Sequence, residues 1–147
     1  MAFGMKNILQ GGLAANYSEV SLDSLEKEYG MYLMDNEKIT MGFKLVRDAL
    51  IFTDKRIIFT DKQGATGTKM SVESINLNSI IDVKMETSGV GFDDSEVTFT
   101  YITSPYFKSN NVTCASHKLE FPKKFDVQPL YKLLQELAYE NHERLNG

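Results

Sequence analysis

Four basic side chains have the type and spacing to bind an anion. Lys44 and Arg47 flank one predicted turn, and Lys62 and Lys69 flank another. The first and third turns of an antiparallel meander lie at the same end of the sheet, so the four cations should gather there. Arg47 would bind phosphate oxygens as a fork and the lysines as point charges. The alternative is that these side chains are solvated and keep strand edges from aggregating.

The charge of the chain is unevenly distributed. The 147 residues carry a net charge of −4, which argues against a nucleic-acid binder that relies on broad phosphate neutralisation. Residues 44–70 nevertheless hold six basic and three acidic side chains, whereas the rest of the chain holds ten basic and seventeen acidic side chains. A local basic patch is therefore compatible with an acidic chain.

Catalytic chemistry finds little support in the sequence. Cys114 and His117 are three residues apart on a predicted strand, which places them on opposite faces, and no third ligand or base accompanies them. We predict a buried thiol and an imidazole at a sheet edge. His142 falls near the end of the last predicted helix, where the helix dipole favours a cation. The sequence thus predicts no enzymatic activity, no metal site and no cofactor.

Two short motifs are also excluded. The segment from Gly64 to Lys69 lacks the four-residue gap and the strand-to-helix context of a phosphate-binding loop. The acidic run from Phe92 to Glu96 offers too few oxygen ligands at fixed offsets for calcium.

A helix is predicted over residues 21–34, after a short apolar cluster near the start of the chain. Ser21 can cap it, acidic residues fill its first turns, and Gly30 weakens it by about 1 kcal/mol relative to alanine. Its apolar positions recur at helical spacings: Leu22, Leu25, Tyr29, Tyr32 and Leu33. These side chains could pack on their own sheet or on a neighbouring molecule.

From residue 39 the pattern is typical of strands. Asp54 and Lys55 separate two apolar runs as a short turn, and Val97, Phe99 and Tyr101 alternate onto one face that we predict to be core. The seven predicted strands are Ile39 to Lys44, Ala49 to Thr53, Arg56 to Thr60, Thr68 to Glu73, Ser79 to Glu86, Glu96 to Thr103 and Val112 to Phe121.

An amphipathic helix ends the chain. Asp126 is its predicted cap, Pro129 fits the first turn, and the apolar stripe comprises Val127, Leu130, Tyr131, Leu134, Leu137 and Ala138. Two crossed sheets closed by this helix would cover both the core and the strand edges. The fold class is therefore mainly β, within α+β.

Several cellular contexts are disfavoured. Every apolar run is interrupted well before the roughly 18–20 residues that a membrane span needs, and the N-terminus lacks a secretory apolar region. The single cysteine, Cys114, permits no internal disulfide, so a cytoplasmic location is expected.

Specific residues then carry a family resemblance. The run KLVRDALIFTDKRII from Lys44 to Ile58, followed by DKQGATGTK from Asp61 to Lys69, resembles the bacterial pleckstrin homology (PH) domain family of small stand-alone proteins. The likeness continues through Ser74-Ile75, Ser79-Ile80 and Glu86-Thr87, includes the leader at residues 18–22, and covers residues 18–103.

The resemblance implies a PH-like barrel of seven antiparallel strands in residues 37–147, with residues 1–36 as an N-terminal helical extension. It also implies no known enzymatic activity, a tendency to form ring-shaped homo-oligomers, and a function that is uncharacterised. The end that holds Lys44, Arg47, Lys62 and Lys69 corresponds to the phosphoinositide-binding mouth of PH-like domains.

We therefore expect a homo-oligomeric interaction or scaffold module, for which a further protein is a candidate partner. The alternative is a peripheral module that binds acidic lipid or another anion through the four cations, with weak membrane contact. Phe92, Tyr101, Tyr106 and Phe107 lie in or near predicted loops, where aromatic residues suit interfaces, although each could instead be core.

Overall fold

The computed structural model describes residues 21–44, 48–63, 69–87, 95–122 and 125–147, without the side chains of Asp48, Lys62 and Gln63. One compact unit ends at Asn76 and a second begins at Leu77. The elements in chain order are α1 (Leu22–Tyr29), a 3-10 turn (Gly30–Tyr32), β1 (Ile39–Lys44), β2 (Asp48–Thr53), β3 (Arg56–Gln63), β4 (Lys69–Asn76), a second 3-10 turn (Leu77–Ser79), β5 (Ile80–Glu86), β6 (Ser95–Ile102), β7 (Cys114–Phe121) and α2 (Gln128–Asn146).

The seven predicted strands are confirmed, with bounds that differ by a few residues. They form two antiparallel sheets, one in the order β1-β2-β3-β4 and the other in the order β5-β6-β7. Each strand pairs with its neighbour in sequence, so both sheets are meanders. The predicted boundary between residues 36 and 37 stays a prediction.

Helix α1 begins where the sequence predicts. The Ser21 hydroxyl accepts the Ser24 N–H at 3.2 Å and caps the first turn. The α-helix ends at Tyr29, and the chain tightens into the 3-10 turn at Gly30 before Leu33 adopts an extended conformation. The helix predicted to residue 34 is thus too long, because Gly30 is a poor helix former.

The buried face of α1 packs on its own sheet. Leu25 and Tyr29 lie in one core cluster with four residues of the four-stranded sheet, and Leu33 is partly buried against it, whereas Leu22 is exposed. This settles the question that the sequence leaves open. The four sheet residues are Ile39, Ala49, Ile51 and Ile58.

Gly42 in β1 permits the close approach of this helix. It pairs with Ile51, and a Cβ atom placed on it would lie 2.6 Å from Cδ1 of the buried Leu25. Glycine therefore serves here to bring the strand backbone against the helix side chain.

A single guanidinium joins the 3-10 turn to the sheet. Arg56, at the start of β3, donates from Nε to Glu37 at 2.8 Å and from Nη2 to the other Glu37 oxygen at 3.0 Å. The same Nη2 donates to the Tyr32 carbonyl, and Nη1 donates to the Ser74 hydroxyl on β4. Arg56 thus ties the helix-to-strand connection to β3 and to Ser74 on β4, the residue that pairs with Ile58.

The Glu37 carboxylate is the other half of this connection, and its side chain is fully buried. Burial alone would raise its pKa, but hydrogen bonds from Arg56, the Thr53 hydroxyl and the Met34 N–H lower the pKa to about 2. Thr53 Oγ1 also accepts the N–H groups of Lys55 and Arg56, so the predicted turn at residues 54–55 is confirmed.

In the second unit, α2 lies along β5 and the second 3-10 turn. Asn141 is buried and donates to the carbonyls of Leu77 at 2.9 Å and Ile80 at 2.7 Å. Arg144 donates to the Asn78 carbonyl and to Asn141 Oδ1, both at 3.0 Å. Side chains of the helix therefore satisfy backbone oxygens that the turn leaves unpaired.

The start and the buried face of α2 differ from the prediction. Val127 is the N-cap, and Asp126 instead accepts the Gln128 N–H at 3.1 Å in a local turn just before the helix. Leu133 and Asn141 are buried with the predicted leucines, whereas Tyr131 is only half-buried.

The alternation predicted for β6 holds only in part. Val97 and Phe99 are buried, but Tyr101 is half-buried and Ile102 is buried in its place. The Tyr101 ring nevertheless stays beside Phe99, with centroids 5.9 Å apart, and β6 pairs with β7 without a register shift.

We expect Gly42→Ala to lower the free energy of unfolding by about 1–3 kcal/mol, because the new methyl group overpacks Leu25. Equilibrium urea denaturation measures the change. Gly30→Ala is the matched control, since its Cβ would meet nothing within 4 Å and its φ of −57° suits alanine. Equal effects of the two substitutions would show that α1 does not press against β1.

We expect Glu37→Gln to destabilise the protein near neutral pH by about 3 kcal/mol, because Arg56 loses its buried charge partner. The folded pKa of about 2 lies below the ordinary 4.5, so this stabilisation is complete above about pH 4.5 and is lost as the pH falls towards 2. The difference between wild type and variant should shrink over that interval in urea titrations. Glu86→Gln, in an exposed pair with Lys84, should change little at any pH. A difference that stays constant on acidification would contradict the assignment.

Candidate functional site

The topology places Lys44, Lys62 and Lys69 at one end of the four-stranded sheet. β1 ends at Lys44, β3 ends at Gln63 and β4 begins at Lys69. Arg47 lies outside the described residues, and so does the side chain of Lys62.

Lys44 is already bound by a carboxylate of the same chain. Its Nζ lies 2.8 Å and 3.0 Å from the two Glu28 oxygens, a bidentate contact between β1 and α1. This hydrogen bonding raises the pKa of Lys44, although partial desolvation opposes the shift. Burial and the adjacent Glu28 charge also raise the pKa of the Tyr29 phenol. Glu28 thus neutralises the first of the four predicted cations.

Lys69 lies on the opposite face of the sheet from Lys44. Lys44 pairs with Ala49, Ala49 with Thr60 and Thr60 with Val72, so these four residues share one face of the sheet. Lys69 lies three residues before Val72 on β4, and an odd separation along a strand places it on the other face. The α1 side of β4 is marked by Met70, whose sulfur accepts the Tyr32 hydroxyl at 3.3 Å. Lys44 and Lys69 therefore share an end of the sheet without sharing a face. Anion binding by the four residues stays a prediction.

The prediction of a buried thiol at Cys114 is wrong. Cys114 is exposed as the first residue of β7. Leu119 and Phe121, at odd-numbered positions, lie on the buried face, so the even-numbered residues of this strand, including Cys114, point outward. His117 does lie on the opposite face from Cys114, on a strand at the edge of its sheet. Its ring stacks on Phe99, with centroids 5.9 Å apart. The sequence already shows large apolar residues at positions 119 and 121, and this alternation predicts that Cys114 lies on the exposed face.

His142 has a structural contact. Its Nε2 lies 2.8 Å from the Ile81 carbonyl oxygen, and since a carbonyl only accepts, this nitrogen carries the proton. In the described part of the chain, no three His, Cys, Asp or Glu side chains are grouped to hold a metal ion. None of the described helices is long and apolar enough to cross a membrane.

The connection between β6 and β7, residues 103–113, is closed at its base by side-chain and backbone hydrogen bonds, and we call it the β6–β7 loop. The Thr103 N–H donates to the Thr113 carbonyl at 2.8 Å, and the two threonine hydroxyls lie 2.8 Å apart. Ser104 Oγ accepts the Thr113 N–H at 3.3 Å, and Ser109 Oγ accepts the Asn111 N–H at 3.2 Å. The base and the tip of the loop are therefore both restrained.

This restrained loop presents apolar side chains to solvent. Tyr106 is 78% exposed, Val112 is 40% exposed and Phe107 is half-buried, which confirms the predicted loop position of both aromatic residues. Lys108 is the one charged residue in the loop sequence. Tyr101, in contrast, belongs to β6, and Phe92 lies outside the described residues.

A second apolar surface lies at residues 30–34, which we call the Met turn. Met31 is 75% exposed and Met34 is 50% exposed. The sequence interpretation missed both residues, although they are out of phase with the buried positions Leu25 and Tyr29, and this was a usable signal.

The chain is similar to a known family and to known proteins. A family model described as "Bacterial PH domain" matches residues 8–138. The "Uncharacterized protein YjqA" of Bacillus subtilis (strain 168) is 44% identical over 86 residues, which are 58% of this chain and 69% of that protein.

Three solved structures are similar, each with a TM-score of 0.61. A DUF1696 family protein with a PH domain from Shewanella loihica PV-4 is 31% identical and aligns over 81% of this chain and 94% of its own. A PH domain from Shewanella amazonensis SB2B is 33% identical, with coverage of 88% and 98%. A PH-domain-containing protein from Exiguobacterium sibiricum 255-15, at 24% identity and coverage of 86% and 66%, shows the fold alone.

These similarities agree with the two meander sheets, the helix before the first sheet and the helix after the second. The fold is PH-like, as the sequence predicts, and the likeness carried by the run from Lys44 to Lys69 is confirmed. The family match spans nearly all of the described elements, from α1 into α2. The chain belongs to the bacterial PH domain family.

Proposed function

We propose that this protein is a non-catalytic cytoplasmic interaction module that associates with copies of itself through the β6–β7 loop. The observation that carries the proposal is the 78% exposure of Tyr106 on a loop closed by hydrogen bonds at its base. The family resemblance, with its tendency towards ring-shaped assemblies, points in the same direction.

The loop has the physical properties of a contact surface. Tyrosine offers a large amphipathic area with few rotatable bonds and is enriched among the residues that dominate binding energy. Because Thr103 and Thr113 already restrain the loop, association would cost less conformational entropy than the ordering of a free segment. If the loop docks on a different surface of the next copy, the contact is heterologous, and it forms a ring when the rotation between copies closes.

The absence of catalysis is part of the proposal. Glu37 with Arg56 and Glu28 with Lys44 form contacts that hold structural elements together, and Arg144 donates to the Asn141 amide oxygen and the Asn78 carbonyl. Cys114 and His117 lie on opposite faces of β7, so neither supplies a base or a nucleophile to the other.

The first test is the solution mass of the full chain by light scattering over a range of concentrations. We expect a multiple of the 16.6 kDa monomer, and we expect Tyr106→Ser to weaken association at least tenfold, because it removes the exposed aromatic anchor. Tyr139→Ser is the matched control, since Tyr139 is 62% exposed on α2 and lies outside the loop. A wild-type monomer at all concentrations, or equal weakening by both variants, would contradict the proposal.

For the alternative, an anion site at Lys44, Arg47, Lys62 and Lys69, we expect a negative result. Glu28 already binds Lys44, and Lys69 lies on the other face of the sheet. Sedimentation with vesicles of phosphatidylserine and phosphatidylcholine at low salt should show no more bound protein than with phosphatidylcholine alone. Binding that falls as salt rises, and that Arg47→Gln with Lys62→Gln abolishes, would establish the anion site instead.

A further inference from the structure

The outer edge of β4 has no strand partner among the described residues. β4 is the last strand in the order β1-β2-β3-β4, so β3 lies on one side of it and no described strand lies on the other. Ser71, Glu73 and Ser74 are exposed, and Val72 is 38% exposed, so side chains on both faces of the strand reach solvent. A strand in this position offers backbone N–H and C=O groups to another strand.

The sequence of β4 is complementary to itself about Ser71. When two copies of this strand pair antiparallel and are centred on Ser71, Lys69 of one copy lies opposite Glu73 of the other. Met70 then lies opposite Val72 on the other face, and Ser71 lies opposite its own counterpart. Opposite charges and apolar side chains that face each other stabilise a strand pair, whereas like charges destabilise it.

Other symmetric registers lose this match. Directly opposite residues of an antiparallel pair lie on the same face of the sheet, so a symmetric register must be centred on a residue. A centre at Met70 or Val72 loses both ion pairs, and a centre at Lys69 or Glu73 places like charges opposite each other. The charge pattern therefore selects the register that is centred on Ser71.

The charges that this register uses lie at the surface. Lys69 and Glu73 are both exposed, and Lys69 forms no ion pair with the part of the chain that the structure describes. β7, at the edge of the other sheet, differs, because Nζ of its Lys118 already lies 3.6 Å from a carboxylate oxygen of Glu96 on β6. β4 is therefore the strand edge whose charges suit a second copy.

We propose that two copies of this chain pair through β4, antiparallel and centred on Ser71, and so join their four-stranded sheets into one continuous sheet. A two-fold axis perpendicular to the sheet relates the copies, so the contact is isologous and forms a closed dimer. This dimer contact is independent of self-association through the β6–β7 loop, because it uses other residues on the other sheet.

Charge reversal is the first test, and it is made in a Tyr106→Ser background that removes the proposed loop contact. Sedimentation equilibrium should show monomers of 16.6 kDa in exchange with dimers. Lys69→Glu and Glu73→Lys should each weaken the dimer by about tenfold, because each places like charges opposite each other at two positions. An equimolar mixture of the two variants should restore dimers, since opposite charges then face each other. Lys132→Glu, at an exposed position of α2, is the control and should leave the dimer intact.

A disulfide bond tests the register. With Cys114→Ser added to the Tyr106→Ser background, Ser71→Cys should form a covalent dimer under mild oxidation, because directly opposite Cα atoms lie about 4.5–5.5 Å apart, within disulfide range. Ser74→Cys is the matched control. Each copy of position 74 lies three residues from the centre, so the two thiols are about 20 Å apart along the strands and should not cross-link.

Dimers in the mixture of Lys69→Glu and Glu73→Lys, together with the Ser71→Cys cross-link, support the proposal even if Tyr106→Ser leaves wild-type assembly unchanged. A folded Tyr106→Ser protein that stays monomeric at all concentrations overturns it without affecting the loop contact. Dimers that withstand both charge reversals overturn it as well, and so does equal cross-linking by Ser71→Cys and Ser74→Cys. Circular dichroism of each variant establishes that it is folded.

Discussion

The buried ion pair between Arg56 and Glu37 is the contact on which the first unit depends. Through it, the 3-10 turn after α1, the start of β3 and the edge strand β4 share one set of hydrogen bonds. A planar guanidinium with several donors in a fixed fork can do this, whereas a lysine would supply a single point charge. Since desolvation offsets much of the attraction between buried charges, the value of the pair lies in the geometry that it imposes.

In the second unit, the carbonyl oxygens of the 3-10 turn are also bound by distant side chains, but no carboxylate takes part in the contacts described for them. A 3-10 turn leaves carbonyl oxygens without helical partners, and a buried carbonyl must find a donor. In the first unit Arg56 supplies the donor for Tyr32, and in the second Asn141 and Arg144 supply donors for Leu77 and Asn78. In both units a side chain that is distant in sequence thus completes a turn next to a sheet.

The strands were predictable because their apolar runs are short, rich in β-branched residues and separated by turn residues. The partners of Arg56 were not, because Glu37 is nineteen residues away and no local period links the two. Cys114 shows a different limit: its apolar character suggested burial, but the parity of Leu119 and Phe121 decides which face it occupies. For Tyr101, the alternation assigns the face that it shares with Phe99, but it does not show that the side chain is only half-buried there.

The same distinction governs the candidate site. Sequence could place four cations at one end of a meander, since strand order fixes which turns share an end. It could not show that Glu28 would bind Lys44. It also could not show that the β3–β4 pairing register would place Lys69 on the other face of the sheet. A fold shared by many functions does not specify chemistry, so function must be argued from the groups that the fold leaves available. Among the described residues, the Glu37–Arg56 and Glu28–Lys44 pairs serve the architecture, and the most exposed large apolar side chains include Tyr106 on a restrained loop, Tyr139 on α2 and Met31 on the Met turn. The proposed self-association uses one of these surfaces, because exposed aromatic side chains suit contacts with other polypeptide segments.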